Sequence, residues 1–167
     1  MSIFTESEIN IHLLDGSDYP QLASVMDVIY PDLGGAWPRA TIDHLIEQFP
    51  QGQIAVFHHK QLVAAALTIR VNRESYNRPH KYQDLFSNDL ASHNYAGNAL
   101  YGIDLFVHPD FQQQGLGSML YAQRKELCRE LTLQSMLAGG RLSNYQFHSN
   151  QLSVEQYINH VIEKQLF

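Results

Sequence analysis

The stretch Leu100–Glu130, LYGIDLFVHPDFQQQGLGSMLYAQRKELCRE, limits the fold more than any other part of the chain. An apolar strand-like run ends at Val107, and His108-Pro109-Asp110 breaks it. Then comes Gln112-x-x-Gly115-x-Gly117, and a helix-patterned segment continues to Glu130. Strand, glycine turn and helix in that order make an anion site. Glycines let backbone amides come close to an oxygen-rich ligand, and the helix points its partly positive end at the same place. Two well-known phosphate loops are excluded, because neither G-x-x-x-x-G-K-[ST] nor G-x-G-x-x-G occurs here. An ordinary strand-turn-helix connection is the plain alternative.

The elements around this stretch are read from periodicity. Ile9–Leu14 predicts a strand, closed by Asp15-Gly16. Ser17 or Asp18 caps a helix with Pro20 in its first turn. After a loop at Pro31–Pro38, which carries the lone Trp37, a second helix is expected with Thr41 as its cap. Trp37 reads as closing one end of the core or flanking a substrate pocket. Gln53–Phe57 and Leu62–Val71 predict two strands, with Val63, Ala65, Leu67, Ile69 and Val71 on one face and Ala64 and Ala66 on the other. His58 and His59 lie between them. Adjacent residues on a strand face opposite ways, so the pair reads as a solvated turn and no metal site is expected.

Asn72–Asn98 has the least regular pattern. It reads either as a segment overhanging the site or as a surface loop packed on itself through Tyr76, Tyr82, Leu85 and Phe86. Ala99–Val107 is the central strand. On the helix after it, Leu116, Met119, Leu120, Leu127 and Cys128 form the buried stripe, while Arg124 and Lys125 meet a distant phosphate or only solvent. Cys128, among apolar neighbours, reads as core and not as a nucleophile. A fifth strand is expected at Thr132–Leu137. A capping-box pattern at Ser153–Gln156 opens a last helix with Val154, Tyr157, Ile158, Val161 and Ile162 inward.

At 167 residues the chain is read as one domain, 1–167. A net charge of -6 argues against a nucleic-acid surface. The single cysteine rules out an internal disulfide and suits a reducing compartment. No signal peptide or membrane-length apolar run is visible, so a cytoplasmic location is the default expectation.

Val107, Pro109, Gln112, Gly115 and Gly117 together fit V-x-P-x-x-[QR]-x-x-G-x-[GA]. This resembles the acyl-CoA loop of the GNAT-type N-acyltransferases. The resemblance implies an α/β (α+β) GNAT fold: a mixed, mostly antiparallel sheet flanked by helices. It also implies acetyl-CoA as acyl donor and a small-molecule or peptide amine as acceptor. The phrases Glu47–Gln53, Leu100–Phe111, Gly115–Cys128 and Ala138–Tyr145 look like the acetyltransferase domain fused to carbon–nitrogen hydrolases in some bacteria. No counterpart of the hydrolase is seen in these residues, so nitrilase-type chemistry is not implied.

The family pattern assigns cofactor contacts to Phe106, Val107, Gln112, Gln113, Gln114, Gly115, Leu116, Gly117 and Ser118. An amide at Phe106 or Val107 would polarise the thioester carbonyl. Asp104, the only carboxylate in the central strand, is the candidate base, or a structural carboxylate. Tyr157 is the candidate acid for the leaving thiolate, or a core residue; Tyr145 and Arg141 are weaker candidates for holding the acceptor. The loop has glutamines where the family often has an arginine. The one or two strands that usually follow the last helix are missing by Phe167, as in a fragment or a short domain. A short domain would expose a sheet edge that a partner, for instance a second copy in a homodimer, would cover. A non-catalytic CoA-sensing or interaction module of the same fold is the rival reading.

Overall fold

The computed structural model describes residues 8–87, 90–140, 142 and 145–164. Its centre is a sheet of β1 (Ile9–Leu13), β2 (Ile54–His58), β3 (Gln61–Val71), β6 (Ala99–Val107) and β7 (Ser135–Ala138), adjacent in that order. The first three pairings are antiparallel and β6–β7 is parallel, so the sheet is mixed and mostly antiparallel. Helices α1 (Tyr19–Ile29) and α2 (Arg39–Gln48) cover one face, and α4 (Leu116–Glu130) covers the other. A four-residue helix α3 (Arg73–Tyr76) and a small hairpin of β4 (Phe86–Ser87) and β5 (Leu90–Ala91) fill the segment before β6. Helix α5 (Val154–Lys164) is the last element among the described residues.

Turn chemistry sets most boundaries. Asp15 accepts from the Ser17 amide at 2.6 Å, and Asp18 accepts from the Asp15 amide at 3.1 Å, which launches α1. The capping box at α5 forms as expected: Gln156 N–H donates to Ser153 Oγ at 3.2 Å, and Ser153 N–H to Gln156 Oε1 at 2.9 Å. Two expected starts move. Pro38, extended at ψ 140, is the N-cap of α2, and Thr41 lies buried inside the helix. Thr132 has φ 52 and its amide bonds Arg129 O, so it still belongs to the turn after α4, and β7 begins only at Ser135.

Two bulges redirect side chains. Val56 pairs with Ala64 but Phe57 pairs with Leu62, leaving Val63 as an extra residue. The alternation along β3 is reset there. Leu62 joins Ala65, Leu67, Ile69 and Val71 under α1 and α2, while Val63 joins Ala64 and Ala66 under α4, which corrects the expected face of Val63. The second bulge lies in β6, where Leu67 pairs with Asp104 but Thr68 with Gly102. Ile103 is the extra residue, and everything after it changes face. Ala99, Tyr101, Ile103 and Phe106 pack on the α1 side, and Leu105 and Val107 on the α4 side.

Arg124 explains how the β6 bulge is held. It is 1% exposed, against an expectation of phosphate contact or solvation. Its Nε donates to Thr68 Oγ1 at 2.9 Å and its Nη2 to Leu67 O at 2.7 Å; Nη2 also donates to Asp104 O. Leu67 and Asp104 are the pair beside the extra residue, and the planar fork of a guanidinium reaches both carbonyls together. Gly102 makes the space, since a Cβ there would stand 2.7 Å from Arg124 Nη1. Burial lowers the Arg124 pKa to about 10, with the Tyr121 and Asp104 charges opposing that shift, so it stays charged near neutrality. On the outer side of β3, buried Gln53 accepts from the Thr68 amide at 3.1 Å and donates to the Thr68 carbonyl at 2.8 Å, replacing a strand neighbour beyond the end of β2.

Two further expectations are corrected. On α5, Tyr157 and Val161 are buried, but Val154, Ile158 and Ile162 are 47%, 37% and 67% exposed; they form the neighbouring i, i+4 row. At the β2–β3 turn, His59 has φ 54 and has left the strand, so strand alternation no longer separates it from His58; the two ring centroids are 4.3 Å apart.

Candidate active site

β7 pairs with β6 only from Ala99 to Gly102. Beyond the bulge the two strands part, and the free edge of β6 forms the floor of a cleft of about 1150 Å³. One wall comes from the end of α1 and the following loop, with Tyr30, Leu33 and Trp37; another from Arg78, Pro79, His80 and Tyr82. Tyr121 and Arg124 of α4 and Ala138–Gly140 at the end of β7 close the far side. The cleft thus meets both faces of the sheet through the gap between β6 and β7.

Peptide groups alternate along a strand, and the hydrogen bonds fix their directions here. His108 N–H donates to Val63 O at 2.8 Å, so His108 and Phe106 point their amides at β3. Leu105 and Val107 point theirs at the open edge, and the Ile103 carbonyl faces it too. Tyr82 Oη donates to Ile103 O at 3.1 Å, the Leu105 amide to Asp104 Oδ1 at 2.9 Å, and Gln112 Nε2 to Val107 O at 3.2 Å. Of the two sequence candidates for an oxyanion donor, Val107 therefore has its amide on the cleft side and Phe106 does not. Both residues, and Gln112, line the cleft.

Asp104 sits half-buried in the middle of this edge. Tyr30 Oη donates to its Oδ1 at 2.7 Å, tying the end of α1 to the carboxylate. A regular strand would have turned Asp104 to the α4 side with Leu100 and Gly102; the Ile103 bulge turns it toward Tyr30. Neighbouring groups keep their protons. Burial first, then the charge of Asp104, pushes the Tyr82 hydroxyl well above its ordinary range. Burial also raises Tyr101, whose hydroxyl is 2.8 Å from His80 Nε2.

The glycine turn lies at one end of the cleft. A single turn at Pro109–Phe111 leads to extended Gln112, then Gln113 at φ 60 and Gly115 at φ 86. Gly115 is the N-cap of α4 and makes no side-chain cap bond, and the first amides of a helix have no partner within it. Apart from the adjoining backbone, nothing lies within 4 Å of a Cβ built at Gly115 or Gly117. Gln113, Gly115 and Ser118 are exposed, and Gln114 and Gly117 partly so. Leu116 is buried under the sheet with Leu120, so its side chain is core. These residues form one turn, as the motif implied.

The tertiary structure does not bring Tyr157 to the cleft wall. It is 4% exposed, stacked on His148 and tilted against Tyr145, both at 5.3 Å between centroids. Tyr145 Oη donates to Leu152 O at 3.1 Å. Arg141 lies outside the described residues. Cys128 behaves as core, with Sγ 3.8 Å from Leu133 O and burial raising its pKa. The segment before β6 realises both of its readings: Arg78, His80 and Tyr82 line the cleft, while Leu85 is buried and Tyr76 packs on the core. Trp37 likewise packs on the core, 5.9 Å from Phe86, and borders the cleft. Sequence reading missed Tyr30, His80 and Tyr101 as cleft residues; only their aromatic and polar character marked them.

A mixed sheet splayed beside a glycine turn and helix start is the framework of an acyl-CoA-dependent acyltransferase. Residues 22–148 match the acetyltransferase (GNAT) family, and the chain belongs to it. It is 26% identical over 163 residues to the probable hydrolase YhcX of Bacillus subtilis (strain 168), covering 97% of this chain and 32% of that protein. This agrees with the resemblance to an acetyltransferase domain carried by larger hydrolase proteins. It is also 26% identical over 128 residues to the uncharacterized N-acetyltransferase YkwB of the same organism, covering 76% of this chain and 57% of that one. The chain thus spans less than two thirds of either relative. Among solved structures it is similar to the GphF GNAT-like decarboxylase in complex with isobutyryl-CoA, with a TM-score of 0.78, 21% identity, and coverage of 90% of this chain and 76% of that one. Among the described residues, no helix is long and apolar enough to cross a membrane.

Proposed function

We propose that this chain transfers an acetyl group directly from acetyl-CoA to an amine acceptor. The observation that carries the reading is the position of Asp104 and the Val107 amide on one open strand edge, beside the glycine turn. The pyrophosphate of the donor binds the amides of Gln113 to Ser118 and the positive end of α4. No basic side chain lies in this turn, so binding rests on backbone groups. The acyl arm enters along the free edge of β6, where the Val107 amide polarises the thioester carbonyl. The acceptor enters from the side of Tyr30, Trp37 and His80. Asp104, oriented by Tyr30, takes the proton from the attacking nitrogen, directly or through water. The amine nitrogen bonds to the carbonyl carbon, the carbon–sulfur bond breaks, and solvent at the cleft mouth protonates the thiolate.

Calorimetry with acetyl-CoA and isobutyryl-CoA tests the donor, and a panel of amines with detection of released thiol tests the transfer. Binding of acetyl-CoA with amine-dependent thiol release is the expected result. Absence of binding by both thioesters at high micromolar concentration overturns the reading; binding without release by any amine favours the sensing module. Tyr157→Phe is expected to keep turnover, because its ring lies off the cleft wall. Loss of turnover with donor binding retained would restore Tyr157 as the acid.

A further inference from the structure

The β2–β3 turn brings together three metal-ligating side chains that the acyl-transfer site does not use. Glu8, His58 and His59 each offer a donor atom, and these atoms all lie within 4.8 Å of one another. Two features of the chain build the cluster. The His59 amide donates to Glu8 O at 3.0 Å, extending the β1–β2 ladder one residue past the Ile9–His58 pair and setting Glu8 opposite His59. His59 also has φ 54, in a two-residue turn where glycine or asparagine is the usual choice. Positive φ is uncommon outside glycine, and histidine is among the few residues that adopt it. It is also what lets His59 share a side with His58.

We propose that Glu8, His58 and His59 bind one zinc ion. Two imidazoles and one carboxylate suit zinc, with water at the fourth position. Tetrahedral bonds of about 2.0–2.1 Å set donor atoms roughly 3.3–3.5 Å apart. Reaching that spacing from within 4.8 Å takes rotamer changes of the half-buried Glu8 and His58 and the exposed His59. The ion joins the start of the edge strand β1 to the β2–β3 hairpin. It lies next to the glycine turn, because the Phe111 ring packs against His58 with centroids 5.4 Å apart.

The test uses the tag-free full chain, stripped with chelator and titrated with zinc chloride by calorimetry. Cobalt(II) serves as a spectroscopic substitute. One zinc per chain, a four-coordinate cobalt spectrum and a higher melting temperature with zinc are expected. His59→Gly removes a ligand while suiting the positive φ, so the fold is kept; it should weaken zinc binding at least about tenfold, since loss of even an outer-sphere partner costs that much. Glu8→Gln should weaken it likewise. His108→Ala, which changes a nearby histidine outside the cluster, should leave zinc affinity unchanged. No zinc binding by the unsubstituted chain, or undiminished binding by His59→Gly, overturns the site.

Discussion

Replacing Arg124 by methionine tests what holds the β6 bulge open. Methionine fills much of the same volume but offers no donor. The buried Leu67 O, the part-buried Asp104 O and the Thr68 hydroxyl then lose this donor. A buried polar group left without its partner costs about 1–3 kcal/mol, so the two carbonyls together cost roughly 2–6 kcal/mol. Removing a desolvated cation offsets part of this, as replacements of buried charges by apolar groups do. A loss of about 3 kcal/mol in a chain of this length lowers Tm by roughly 6–12 °C. Urea unfolding followed by circular dichroism, with a thermal melt, reads it. Arg124→Lys keeps the charge but not the fork and should fall between the two. If the methionine variant does not fold, the lysine variant carries the test. Stability of Arg124→Met within about 0.5 kcal/mol of the parent would refute the claim that the guanidinium secures the bulge. The lysine variant should also lose turnover more than donor affinity, since Asp104 is held through its carbonyl.

The remaining predictions concern the turn, the base and one histidine. Gly117→Ala should stabilise α4 slightly, by about 0.5–1 kcal/mol, because nothing apart from the adjoining backbone lies within 4 Å of the added carbon; it should nevertheless weaken acetyl-CoA binding by calorimetry, since the methyl stands where the ligand approaches. Asp104→Asn should lower kcat/KM by about 10²–10⁴ if the carboxylate is the base, with donor affinity kept; Tyr30→Phe should lower it by about tenfold, the scale of one hydrogen bond to a charged group. His93 has its pKa lowered to about 4, first by burial and then by the charges of Arg70 and His44. Its folded pKa lies below its unfolded value of about 6.5, so its contribution is complete above that pH and is lost as pH falls toward 4. His93→Asn, which keeps an acceptor near the Arg70 amide but does not titrate, should flatten the fall of Tm over that interval.

Local chemistry made much of the fold legible in advance. The two-residue period of β3, the 3.6-residue period of α1 and α2, and the proline and glycine breaks each lie within a few neighbouring residues. So does the glycine turn, where Gly115 takes φ 86 and Gly117 leaves room. Reading failed where a residue answered to a distant partner. Arg124 looked like a solvent or phosphate residue because its acceptors at Leu67, Thr68 and Asp104 are 20 to 57 positions away. Tyr30 carried no signal, since its bond to Asp104 spans 74 positions. Tyr157 was placed inward correctly, but inward on α5 means toward Tyr145 and His148.

The amino-acid order alone determined that a strand, a glycine-bearing turn and a helix would follow one another at Ala99–Glu130. It also determined which residues could supply amides to an anion there. It could not determine which way Asp104 points. Strict alternation would turn that carboxylate under α4, away from Tyr30. One extra residue, Ile103, reverses the facing of every later side chain in β6. The extra residue's own carbonyl lies outside the ladder and takes its donor from Tyr82. Arg124, brought back across the sheet by α4, bonds Leu67 O and Asp104 O beside it, so the tertiary structure places the carboxylate in the cleft.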